Sequence, residues 1–102
     1  EESKGGIYIE DTESFLGEIS TLSGISVKGL MTIPPADENI TKTIHYFENM
    51  YKKLVDIRSK KLDNISMNCL SMGMSADYAQ AIEAGANIVR VGSALFGQRV
   101  YK

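Results

Sequence analysis

The order of its apolar segments constrains this chain more than any other feature. Val27-Lys28-Gly29-Leu30-Met31-Thr32, Ile65-Ser66-Met67-Asn68-Cys69-Leu70 and Asn87-Ile88-Val89-Arg90-Val91 each read as a short strand. Helical patterns precede and separate them. Asp11 or Thr12 caps a helix reaching about Leu22, with Phe15, Leu16, Ile19 and Leu22 at helical spacing and Gly24 as its stop. Asp37 or Asn39 caps a longer one that lasts to about Lys61. Ile40, Ile44, Phe47, Tyr51 and Leu54 form its apolar stripe, and the charges from Lys52 to Lys61 form a solvated face. Ser75 offers the N-cap of a third helix over 76–84, closed by Gly85. Gly92 then breaks the last strand, and Ser93 to Phe96 begin a further turn of helix. Strict alternation of helix and strand implies an α/β fold with parallel strands and right-handed crossovers.

Three parallel strands do not close a barrel, and one face of such a sheet is left uncovered. That face is expected to carry apolar groups such as Met67 or Leu30, with Ile88 beside Arg90. Large exposed apolar patches are rare on monomers. Self-association, or the missing strands of a larger α/β fold, would cover it. The length of 102 residues suits one domain. With 11 basic and 13 acidic side chains the net charge is −2, which gives no general attraction to nucleic acid or to an anionic membrane. No apolar run approaches the roughly 18 residues of a membrane span. The opening EESKGG does not read as a secretory segment. The single Cys69 cannot form an internal disulfide, which points to a reducing compartment and hence the cytoplasm. His45 is the only histidine and lies far from Cys69, which excludes a His/Cys zinc cluster and makes His45 a structural residue.

The chemistry concentrates in two loops. Leu70-Ser71-Met72-Gly73-Met74-Ser75 follows the second strand, and Arg90-Val91-Gly92-Ser93-Ala94-Leu95-Phe96-Gly97 follows the third. Both sit at carboxyl ends of strands and both open helices. Glycine lets a backbone approach a ligand, and free N–H groups at a helix start attract an anion. Two adjacent loops of this kind form the usual phosphate site of a (β/α) barrel. The alternative is that Gly73 and Gly92 only permit tight turns. Arg90 shares a strand face with Ile88, opposite Val89 and Val91, which turns it toward a barrel interior. An interior guanidinium needs an acceptor. A bound ligand or a carboxylate on another strand would serve.

Residues 70–99, LSMGMSADYAQAIEAGANIVRVGSALFGQR, closely resemble the C-terminal signature of the YggS/PROSC family of pyridoxal phosphate homeostasis proteins. These look like the barrel domain of alanine racemase without its second domain. GLMTIPP at 29–35 and EESKGG at 1–6 match further family segments. The resemblance implies that residues 1–102 form the C-terminal half of a (β/α)8 TIM barrel holding pyridoxal 5′-phosphate (PLP) at its carboxyl end. It implies that Ser75, Gly92 and Ser93 grip the phosphate, beside the Gly73 loop, and that Arg90 faces the pyridine nitrogen. Arginine stays protonated, so it leaves that nitrogen unprotonated and the cofactor a weaker electron sink. The family's Schiff-base lysine lies on an early strand that precedes this stretch; Lys4 matches a family lysine, but not the anchoring one. The implied role is storage or delivery of PLP without turnover. The alternatives are a racemase-like enzyme and a folded fragment without cofactor. Racemisation needs acid and base groups on both faces of the substrate, and neither glycine loop holds a Tyr or Lys. Tyr78, on the short third helix, reads as turned outward.

Overall fold

A computed structural model describes residues 5–35 and 39–97. Lys4 and Asp37 lie outside the described residues. A single turn at Ile9–Asp11 leads into α1 (Thr12–Ile19), followed by β1 (Val27–Met31), α2 (Ile40–Lys60), β2 (Ile65–Met74), α3 (Tyr78–Ala84), β3 (Ile88–Arg90) and α4 (Ser93–Phe96). The strands form one parallel sheet in the order β1-β2-β3. The alternation seen in the sequence therefore becomes two consecutive parallel crossovers, with β2 in the centre.

Helix α2 is set by its ends and by one apolar stripe. Asn39 caps it by accepting the Thr41 N–H at 3.0 Å, and Lys61 ends it in the left-handed conformation. The buried stripe runs through Thr43, Phe47, Leu54 and Ile57. It is rotated from the stripe expected through Ile40 and Tyr51, both of which are exposed. Phe47, Leu54 and Ile57 meet Met67, Leu70 and Met72 of β2 and Ala81 of α3, and Leu16 of α1 completes this core. Each large side chain buried here contributes roughly 1.5–3 kcal/mol. Arg58 ties helix to sheet by donating both Nε, at 3.1 Å, and Nη2, at 2.7 Å, to the Met67 carbonyl. An exposed ion pair between Lys60 and Glu13, at 3.2 Å, adds little, because solvent screens it.

Strand β2 is irregular, and that decides which side chains face which way. Val27 pairs with Ile65, yet Gly29 pairs with Cys69, so β2 gains residues relative to β1. The extra length places both Met67 and Leu70 in the helix-covered core, and Leu30, paired with Leu70, packs against it. The expectation that Met67 or Leu30 would line the uncovered face is thus corrected: a bulge resets the alternation. The row Met31, Ser71 and Ile88 crosses the other face. There Ile88 remains 44% exposed, as expected, and Met31 is 61% exposed. β2 also continues through Met74, four residues beyond its expected end. Asn87 supplies a rung ahead of β3: its amide accepts the Leu70 N–H at 2.8 Å and donates to the Asn68 carbonyl at 2.6 Å.

Gly29 is where the strands come closest, because a methyl group there would land on the Cys69 carbonyl. Gly29→Ala is expected to cost at least about 2 kcal/mol in urea unfolding, through loss of the β1–β2 pairing. Gly17→Ala in α1 meets nothing within 4 Å and should be neutral or stabilise by up to about 1 kcal/mol. Equal effects of the two substitutions would contradict this packing.

Candidate functional site

The parallel sheet delivers its strand-to-helix connections to one end. There a cavity of about 750 Å³ opens between the β1–α2 connection, the start of α2, the turn after β2 and α4. Ser75, Gly92, Ser93 and Gly73 all line it, so the two glycine loops do meet in space. The contact between them is direct. Ser75 Oγ accepts the Ala94 N–H at 2.9 Å, across nineteen residues of sequence. Ser75 is therefore not the cap of the third helix, which starts at Tyr78 with Asp77 before it. Its oxygen serves the start of α4 instead, and its hydroxyl hydrogen remains to be donated.

The first turn of α4 is organised around Gly92. The Gly92 carbonyl accepts the Leu95 and Phe96 N–H groups at 3.1 and 2.9 Å. With the Ala94 N–H held by Ser75, the Gly92 and Ser93 N–H groups meet no protein acceptor among the described residues. Nothing lies within 4 Å of where a Gly92 side chain would begin. Gly92 thus leaves open space beside two backbone donors and two serine hydroxyls. That set suits an anion with several oxygens.

Gly73 plays a different part. It is buried with φ +100°, and an added Cβ would sit 2.7 Å from Ala81 Cβ. This glycine is required by the packing of α3 on β2, whatever else it borders. The irregular pairing between Ser71–Ile88 and Met74–Arg90 falls at the same point.

Arg90 stands opposite Met74 in the ladder, two residues along the strand from Ile88. Its Nη2 reaches over β2 to donate to the Thr32 carbonyl at 2.9 Å, at the carboxyl end of β1. Its Nε is buried with no partner. Arg90 does not itself line the cavity; it holds Thr32, which does. The acceptor is thus a backbone carbonyl, and one donor is left over.

The other walls carry no chemical motif in the sequence. Thr32, Pro34 and Pro35 form one side, Ile40 and Thr43 of α2 another, and Asp77 and Phe96 lie at the loops. Their signal is position alone: all but Phe96, which closes α4, follow a strand end or lie in the first turn of a helix. Asp77 is the only ionisable side chain among the described lining residues. His45 is exposed on α2, away from this cavity, and Cys69 is a half-buried free thiol.

Residues 2–100 match the family model described as alanine racemase, N-terminal domain. The chain belongs to that family. Over 99% of its length it is 43% identical to the pyridoxal phosphate homeostasis protein of Aquifex aeolicus and 36% identical to that of Haemophilus influenzae. It spans 43% and 42% of the length of those relatives. The structure of PipY from Synechococcus elongatus with PLP bound superimposes with a TM-score of 0.82 at 30% identity, covering 92% of this chain and 44% of PipY. A protein from Bifidobacterium adolescentis gives a TM-score of 0.88 at 36% identity, over 94% of this chain and 38% of the other. The fold is accordingly that of a partial barrel, and the solved structures it matches are longer than this chain.

The geometry of Gly73 yields a prediction. Gly73→Ala should destabilise by about 2 kcal/mol or more, from contact with Ala81 and from a left-handed backbone. In Gly73→Ala/Ala81→Gly the contact is relieved and the backbone strain is not, so a double-mutant cycle in urea unfolding should show favourable coupling. Additive effects would place the strain elsewhere.

Proposed function

We propose that this chain binds PLP as part of a PLP homeostasis protein, storing or delivering the cofactor, and that it forms the C-terminal half of the barrel. The observation that carries this reading is the junction of Ser75 with α4 beside the open Gly92. It gathers serine hydroxyls and unpaired backbone N–H groups at the carboxyl end of a parallel sheet. Similarity to relatives named for PLP homeostasis, and to PipY with PLP bound, supports the choice of anion.

The residues present fit the cofactor. The Ser75 hydroxyl and the Gly92 and Ser93 N–H groups would hold its phosphate. The Arg90 guanidinium stands behind Thr32 at the cavity wall; it would be the cation nearest the pyridine ring once the rest of the barrel is in place, and a protonated arginine cannot pass the ring a proton. When bound, PLP supplies an aldehyde that condenses with amines and a ring that withdraws electrons. The chain's own groups bind and orient and do little proton transfer. Asp77 is held at Oδ1 by the Met74 N–H at 2.8 Å, so it is poorly placed as a general base. This supports a carrier rather than an enzyme. No helix among the described residues is long and apolar enough to cross a membrane, and the lone Cys69 fits a cytoplasmic location.

PLP absorbance titration tests the reading. Gly92→Val meets no protein atom within 4 Å, so its unfolding free energy should stay within about 0.5 kcal/mol of the parent. Its PLP affinity should fall at least about tenfold, because the side chain fills the phosphate space. Ser75→Ala should also weaken binding, by about threefold to tenfold for one lost hydrogen bond. Unchanged affinity in both would overturn the assignment. A PLP-loaded protein is expected not to racemise alanine, and sustained racemisation would favour the enzyme reading.

A further inference from the structure

Asp77 is joined to Met74 by two hydrogen bonds. Its Oδ1 accepts the Met74 N–H at 2.8 Å, and its own N–H donates to the Met74 carbonyl at 3.1 Å. The pair closes a four-residue turn with Ser75 and Ala76 at the tip. Asp77 directly precedes α3, where an aspartate would ordinarily cap the helix, yet it makes no side-chain cap bond to α3. The carboxylate is turned back toward the end of β2. From the tip of that turn, Ser75 Oγ accepts the Ala94 N–H at 2.9 Å. The position of the Ser75 hydroxyl therefore depends on the closure of the turn, and the start of α4 depends on Ser75.

We propose that Asp77 is a positioning residue for the anion grip, clamping the turn that aims the Ser75 hydroxyl at α4. Asp77 shares the cavity with Ser75, Gly92 and Ser93. A negative charge there opposes a bound anion. The hydrogen bond to Met74 needs an acceptor of the right reach and no charge, so an amide should serve as well. A role in geometry is thus separable from a role of charge. The binding consequence rests on the PLP reading above; the link from Asp77 to Ala94 does not.

The test combines amide hydrogen exchange at Ala94 with titration of PLP and of inorganic phosphate. In Asp77→Ala the Ala94 amide should exchange at least about tenfold faster, although Asp77 does not touch Ala94. PLP affinity should fall about tenfold. Asp77→Asn should restore Ala94 protection and bind PLP and phosphate at least as tightly as the parent, since the opposing charge is gone. Asp77→Glu, which keeps the charge and misplaces the acceptor, should behave like Asp77→Ala and stands in for it should that variant fail to fold. Parent-like Ala94 exchange in both Asp77→Ala and Asp77→Glu would overturn the proposal. So would an Asp77→Asn protein that loses Ala94 protection. If the parent protein binds no PLP, the cofactor reading fails while the exchange arm still decides the role of Asp77. If the parent binds PLP and both disruptive variants bind it equally well, the cofactor reading stands and the positioning role falls.

Discussion

Because β1, β2 and β3 run parallel, each hands the chain to its next connection at the same end of the sheet. Residues far apart in sequence are brought there with no further device: Thr32 after β1, Ser75 after β2 and Gly92 after β3. The crossovers of α2 and α3 then lie on one face. The apolar side chains of β2 gather beneath them, and Phe47, Ile57, Met67, Leu70 and Met72 are almost fully enclosed. The site is thus mounted on the most tightly packed strand of the molecule. That suits a grip that must hold serine and backbone donors in fixed positions.

Polar groups at the sheet are satisfied by side chains that behave like backbone. Asn87 completes a rung of the β2–β3 ladder, and Arg58 caps the Met67 carbonyl where β2 bulges. Arg90 extends the pattern by closing on Thr32 across β2. Its unpartnered Nε is the exception among the described residues. A buried donor without an acceptor costs about 1–3 kcal/mol. Here it lies at the end of β3, behind the Thr32 wall of the cavity.

Much of this was legible in the sequence. The three strands and four helices followed from periodicity and punctuation, and the two glycine loops pointed to the end of the sheet where the cavity lies. The differences have separate physical causes. Alternation along β2 cannot be followed through an irregularity, so the sequence does not show that Met67 and Leu30 lie on the helix-covered face. Gly73 reads as the mark of a loop, whereas the strand passes through it in a left-handed conformation and pairs on to Met74. Ser75 followed by a helical pattern looks like an N-cap. Its actual partner, the Ala94 N–H, is nineteen residues away and has no local signature. In α2 the stripe was displaced because Thr43, polar by type, is buried at 4% exposure while Ile40 faces outward.

The central claim is that the Ser75 turn and the start of α4 form one anion grip. A crystal structure of the protein with PLP bound tests it most directly. The phosphate is predicted within hydrogen-bonding distance of Ser75 Oγ and of the Gly92 or Ser93 N–H, with the Ala94 N–H still on Ser75. A phosphate bound elsewhere, with the space beside Gly92 left to water, would contradict the account.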